Sequence, residues 1–251
     1  MVVLVTGGSS GIGRAIAVAC ARAGADVALT YGHHEAGARE TASQVAAAGR
    51  RAAVFHLDLN AHAGLETALA GLARDAAKAF GRIDAWINNA GADILTGDGA
   101  GLPAIAKLDL LLSVDLRGTI LASWAAVEQM RRQEQGGVIV NMSWDHVITG
   151  MAGRNPQIFA AVKGGVLAFS KSLARSVAPL VRVNTLAPGW IETAFGGGLD
   201  AERRREVAQS TPLQRWGTPG DVAAAAVYLA SPAAAFLTGQ TIFVNGGVVM
   251  G

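Results

Sequence analysis

The chain has 251 residues, 51% hydrophobic and 16% charged, with a formal net charge of +2. That length and apolar content support a large buried core in one or two domains, and the small cationic excess gives no basis for binding nucleic acid. Cys20 is the only cysteine, which excludes a disulfide framework and points to a reducing cytoplasm. Its alanine neighbours mark it as a small core residue. No uninterrupted apolar run approaches the ~20 residues of a membrane span, and no charged-then-apolar leader precedes the first strand, so no membrane partner is expected. No metal site is expected either.

In chain order, Val2–Val5 reads as a strand, followed by the turn Thr6-Gly-Gly-Ser-Ser-Gly-Ile-Gly13 and an alanine-rich helix over 14–23. Strand Asp26–Tyr31, a helix over 36–48 and a strand over 52–57 ending in Asp58 come next. Helix Leu65–Phe80 leads to a strand over 84–88 that runs into Asn88-Asn-Ala-Gly91. A strand over 137–143, a loop over 145–157 and a helix to Val177 carrying Phe159 and Lys163 follow. Beyond a strand over 181–186 stands Pro188-Gly-Trp-Ile-Glu-Thr193, and Thr241–Val244 closes the series. Strands apolar on both faces, separated by helices, predict an α/β fold: one doubly wound domain over 1–251 with a seven-stranded parallel sheet. The segments 97–101 and 196–198 read as Gly-rich loops, and Arg203-Arg204-Arg205 as a solvated helix face.

A glycine-rich turn between a strand and a helix lets backbone approach a pyrophosphate, with the helix N-terminus supplying N–H donors. That turn, Asn88-Asn-Ala-Gly91, Ile158-Phe-Ala-Ala-Val-Lys163 and the closing Leu237-to-Gly247 stretch together resemble the short-chain dehydrogenase/reductase family, over essentially the whole chain. The resemblance implies a Rossmann fold holding a nicotinamide dinucleotide at Gly7, Ser9, Ser10, Gly11, Ile12 and Gly13. It sets Tyr31 and His33 at the end of the second strand, Asp58 and Leu59 near the adenine, and Asn88, Ala90 and Gly91 behind the fourth strand. It gives Lys163 the nicotinamide ribose, and Pro188, Gly189, Ile191 and Thr193 the carboxamide. Thr30-Tyr-Gly-His-His34 carries no carboxylate before Glu35; an acidic residue there would repel a 2′-phosphate, so NADPH is expected over NAD, with His33 as a phosphate donor.

Members of this family use an Asn–Ser–Tyr–Lys set, from which this chain departs. Lys163 is retained, Phe159 stands at the Tyr and Asp115 at the Asn. Anchoring on the fifth strand puts Trp144, one residue beyond Ser143, at the Ser; counting back thirteen residues from Phe159 gives His146. The strand is the better anchor, because a loop absorbs an insertion more easily. Losing a general acid costs about 10²–10⁴ in rate. In the leading reading a small-molecule C=N centre (iminium or hemiaminal) is reduced and no proton is needed, with Asp115, Asp145, Trp144, Phe159 and Trp190 around a cation. In the alternative a carbonyl or enone is reduced and His146 or Asp145 is the replacement donor, although the ordinary place of both is solvent. A third reading is an NADP-binding protein without turnover. Substrate loops are expected near 92–103, 144–157 and 190–200. The family implies a homodimer or homotetramer, paired through the helices bearing Asp115 and Lys163, and the tail Val248-Val-Met250 fits subunit packing or equally a cover for its own core.

Overall fold

The computed structural model describes residues 1–194 and 199–250. Seven parallel strands, β1 (Val2–Val5), β2 (Asp26–Tyr31), β3 (Ala52–His56), β4 (Ala85–Asn88), β5 (Gly137–Met142), β6 (Val181–Pro188) and β7 (Thr241–Val244), form one sheet in the order β3-β2-β1-β4-β5-β6-β7. The expected strands recur within two residues at each end. Side chains alternate across a strand, and the core divides accordingly. Val3, Val5, Val27, Leu29 and Ile87 face one layer with Ile16, Cys20, Val222 and Leu229. Leu4, Ala28, Trp86 and Ile139 face the other with Leu69, Leu72, Met130 and Leu173. The first layer is α1 (Gly11–Arg22), α2 (Glu35–Ala47) and α9 (Pro219–Ala230); the second is α3 (Leu65–Phe80), α6 (Gly118–Arg131) and α7 (Arg154–Val177). Burial pushes the Cys20 thiol up to about 12, which leaves it an inert core group.

Two expectations change. Residues 97–101 do not form a plain loop: α4 (Gly97–Ala100) is a single helical turn there, begun at Gly97 with φ +53°. The helix bearing Phe159 starts at Arg154, not beyond 157, because Pro156 falls in its first turn, where a missing N–H costs nothing. Next to α4, α5 (Ala104–Leu111), a π-helical turn (Leu112–Arg117) and α6 run on as one rod. By length and composition this rod is apolar enough to cross a membrane, and half of its most apolar stretch is buried. Asp115 and Arg117 interrupt it, and Ala122, Ala126 and Met130 pack on the sheet, as in a core helix. The chain winds outward from β1 to β3, then returns to β4 beside β1. The crevice at that reversal, at the carboxyl ends of β1 and β4, is where such sheets bind ligands.

Candidate active site

The turn after β1 fills that crevice with backbone. Gly7 has φ +67°, and a Cβ there would lie 2.8 Å from Ala90 Cα; a Cβ on Gly13 would lie 2.1 Å from Gly7 O and 2.5 Å from Asn89 Nδ2. Glycine alone fits both places. Thr6 Oγ1 accepts from the Asn89 and Ala90 N–H groups at 3.0 and 3.1 Å, and Asn89 Nδ2 donates to Thr6 O and Gly7 O at 3.1 and 3.2 Å. The end of β4 thereby clamps the turn. Ser10 takes the N-cap position of α1 without a side-chain capping bond, so the first-turn donors beside Ser9, Gly11 and Ile12 remain for an anion. A cradle that one Cβ would fill, below an uncapped helix N-terminus, fits a dinucleotide pyrophosphate.

At the end of β2, Tyr31 meets His56 edge to face at 5.3 Å. Glu35 is held by Arg39 at 2.9 and 2.6 Å, and that hydrogen bonding keeps its carboxyl below the usual range. His33 is exposed. His34, exposed like His33, is the imidazole that sits beside the glycine turn: a Cβ on Gly37 would lie 2.5 Å from the His34 ring and from Ser9 O. Asp58 accepts from Asn60 N at 2.9 Å. Leu59 is buried, its side chain 3.1 Å from where Gly118 would carry a Cβ. Asn88 turns its side chain away from the crevice, accepting from Trp86 Nε1 at 2.9 Å and donating to Ser123 and Asn141 at 3.0 and 2.8 Å.

Lys163 and Asp115, 48 positions apart in the sequence, form a buried ion pair at 2.8 Å with side chains 7% and 1% exposed. Asp115 stands in the π-helical turn, a distortion often found at functional sites. Its Oδ1 accepts from Ala92 N at 2.8 Å. Lys163 Nζ also donates to Met142 O at 3.2 Å and lies 5.6 Å from the Phe159 ring centroid. Ser143 is buried, its hydroxyl donating to Lys163 O at 2.8 Å, so it ties α7 to β5 and has no free proton to orient.

Both registers for the altered Ser lead to one cluster. Trp144 stacks on His146 at 5.0 Å and meets Phe159 edge to face at 5.3 Å. The expected solvent placement of Asp145 and His146 is corrected: Asp145 is 0% exposed and the His146 side chain 12%. Asp145 Oδ1 accepts from the His146 backbone N–H at 2.8 Å and faces Nδ1 at 2.6 Å. The short 3₁₀ turn Asp145–Val147 makes this possible by folding the carboxylate back under the next residue. Asp145 Oδ2 is enclosed and has no hydrogen-bond partner among the described residues, and a Cβ on Gly189 would lie 2.8 Å from it.

Past β6, Gly189 N donates to Val244 O at 3.1 Å, and Ile191 is buried and bridges to Gly217. A Cβ on Gly11 would come within 3.8 Å of Thr193 Cγ2, so this segment lies across the glycine turn. The loop expected at 196–198 lies outside the described residues. On α8 (Ala201–Ser210), Arg203 and Arg205 are exposed, as expected of a solvated face, while Arg204 between them is partly covered: it pairs with Glu192 at 3.0 Å and lies over the Trp216 ring at 5.4 Å, and Trp216 also meets Trp190 at 5.5 Å. Thr6 and Asn89 were the positioning residues missed; a glycine at position 13, which Asn89 Nδ2 leaves no room to enlarge, was the signal the sequence offered.

A family model described as enoyl-(acyl carrier protein) reductase matches residues 7–249. The chain is 39% identical over 251 residues to an uncharacterized oxidoreductase of Mycobacterium tuberculosis, covering 98% of this chain and 91% of that one. It is 34% identical to 3beta-hydroxysteroid dehydrogenase 1 of Eggerthella lenta, covering 99% and 93%. Among solved structures, a short-chain dehydrogenase/reductase from Serratia marcescens superposes with a TM-score of 0.87 at 30% identity, covering 99% of this chain and 98% of that one. With a glycine-cradled crevice at the sheet reversal and likeness along its whole length, the chain belongs to the short-chain dehydrogenase/reductase family of NAD(P)-using oxidoreductases.

Proposed function

We propose that the protein is an NADPH-dependent reductase of a small carbonyl or enone compound in which His146, oriented by Asp145, takes the place of the family's tyrosine. The observation that carries this is the Asp145–His146 contact of 2.6 Å, with Asp145 fully buried. When bound, the reduced nicotinamide supplies a hydride to the electrophilic carbon. His146 gives a proton to the substrate oxygen as negative charge grows there. Asp145 accepts from Nδ1–H and so fixes which nitrogen faces outward. Lys163 holds the ribose, Trp144 and Phe159 form an apolar wall that excludes water, and the segments 92–103, 144–157 and 190–194 border the substrate. Gly7, Ser9, Ser10, Gly11, Ile12 and Gly13 hold the pyrophosphate, with Pro188, Gly189, Ile191 and Thr193 at the carboxamide.

Reduction of a C=N centre draws less support, since both carboxylates meant for a cation are engaged: Asp115 by Lys163 and Asp145 by His146. NADPH preference is supported by the absence of a carboxylate before Glu35, by Arg39 holding Glu35, and by His34 beside the glycine turn. A homodimer or homotetramer is supported by Trp124, 52% exposed on α6 and touching Phe169 of α7, and by exposed Phe236 and Met250. A cytoplasmic place accords with the lone buried Cys20.

The test is NADPH oxidation against a panel of ketones, enones and cyclic iminium compounds, for wild type and His146→Ala, with KM compared for NADPH and NADH. Carbonyl turnover falling about 10²–10⁴-fold in the variant supports the proposal. Turnover of iminium compounds alone, unchanged by the variant, would replace it with C=N reduction. Tight NADPH binding without any turnover would make the protein a binder. A preference for NADH would remove the NADPH assignment.

A further inference from the structure

Asp115 gives the nicotinamide end a charge balance that a neutral side chain there would not. Its carboxylate lies 2.8 Å from Lys163 Nζ, with both side chains almost fully buried. Its other hydrogen bond is to the uncharged Ala92 N–H, and Lys163's is to the uncharged Met142 carbonyl. The pair therefore sums to zero charge in a region where water screens little. Replaced by an amide, position 115 would leave an ammonium standing alone at the same place.

Loss of a hydride, one proton with two electrons, leaves a nicotinamide ring one positive charge richer. A lone buried ammonium nearby opposes that gain, whereas a neutral pair opposes it little. We propose that Asp115 sets the balance of affinity between the oxidised and reduced dinucleotide, by cancelling the Lys163 charge. Asp115 thereby makes the bound reduced form a stronger hydride donor. The inference rests on the reading that Lys163 sits at the nicotinamide ribose. A competing role is structural: Asp115 Oδ2 lies 2.9 Å from where Gly91 would carry a Cβ, and Oδ1 anchors Ala92, so the carboxylate also shapes the loop after β4.

The two roles separate in a binding experiment that needs no turnover. Dissociation constants for NADP⁺ and NADPH are measured by tryptophan fluorescence for wild type, Asp115→Asn, Lys163→Met and the double variant. The quantity read is the ratio Kd(NADP⁺)/Kd(NADPH). It is expected to rise about tenfold in Asp115→Asn and to fall about tenfold in Lys163→Met, the order expected for one unit charge in a partly screened site. In the double variant, neutral again, it returns to within about threefold of wild type even where both affinities are weaker. A tenfold change in the ratio moves the bound two-electron couple by about 30 mV.

Equal weakening of both forms in Asp115→Asn, or a double variant that keeps the single variant's ratio, overturns the proposal in favour of the structural role. Thermal denaturation shows which variants fold. If Asp115→Asn does not, Lys163→Met carries the same test with opposite sign. Wild-type protein that binds neither nucleotide overturns the cofactor reading itself, an outcome distinct from an unchanged ratio.

Discussion

Asp145→Asn isolates what the buried carboxylate does for His146. The side chain keeps its size, and its Oδ1 still accepts from the His146 backbone N–H, now 2.8 Å away. What changes is the contact to Nδ1 at 2.6 Å, from a charged acceptor to a neutral one. Hydrogen bonds to charged groups contribute about 1.5–3 kcal/mol and neutral ones about 0.5–1.5, so roughly 1–1.5 kcal/mol of support for the proton-bearing ring is lost. That corresponds to about tenfold in kcat. His146→Ala removes the donor and costs about 10²–10⁴. Because the two act as one unit, the double variant is no worse than His146→Ala alone. Stability falls by about 1–3 kcal/mol as well, since the amide nitrogen that replaces the enclosed Oδ2 brings N–H donors to a place with no hydrogen-bond partner among the described residues. The assay is kcat at saturating NADPH with the best carbonyl substrate, alongside thermal denaturation. A kcat within twofold of wild type for Asp145→Asn, or losses that multiply in the double variant, would refute the reasoning.

Three further outcomes are expected. Phe159→Tyr sets a phenol on the ring 5.6 Å from Lys163 Nζ; in the His146→Ala background it should restore carbonyl turnover by tenfold or more, and no gain would mean that the ring edge does not face the substrate. Gly13→Ala drives a Cβ to 2.1 Å from Gly7 O, an overpacking cost of about 1–3 kcal/mol. Tm should drop by roughly 2–12 °C and NADPH affinity about tenfold, whereas an unchanged melting curve would show that the turn yields. Asp221, hydrogen-bonded by Arg215 and capping α9 through Thr218, has its carboxyl held well below the usual range. A depressed folded-state value gives stability that is complete above the ordinary carboxylate range and lost as pH falls below it. Urea denaturation of Asp221→Asn should therefore show a shallower loss below about pH 4; matching slopes would contradict this.

The strands were legible because each is a short apolar run bounded by turn residues; their order in the sheet came only with the structure. Tertiary contacts were not legible. Asp145 and His146 read as polar loop residues, and only the fold-back of a 3₁₀ turn buries the carboxylate. The sequence favoured Trp144 over His146 by anchoring on the strand, but it could not show that the two rings stack on each other while Trp144 meets Phe159. Asp115 and Lys163 are each plausible alone; their pairing depends on a π-helical turn that shifts the helix phase by part of a turn. Asn88 misled for a related reason, since the motif that marks the cofactor crevice also carries a side chain serving the core.

That core contact has a consequence of its own. Asn88 and Asn141 face each other across β4 and β5 as register partners, joined amide to amide and onward to Ser123 and Ser170. Sliding either strand by one position would turn the amides to opposite faces of the sheet and strand them in apolar surroundings without partners. An all-aliphatic pair would tolerate such a slip far better. The polar seam thus works as a vernier for the middle of the sheet: by permitting one alignment of β4 against β5, it fixes how the chain after Asn88 and the chain after Met142 leave the sheet relative to one another.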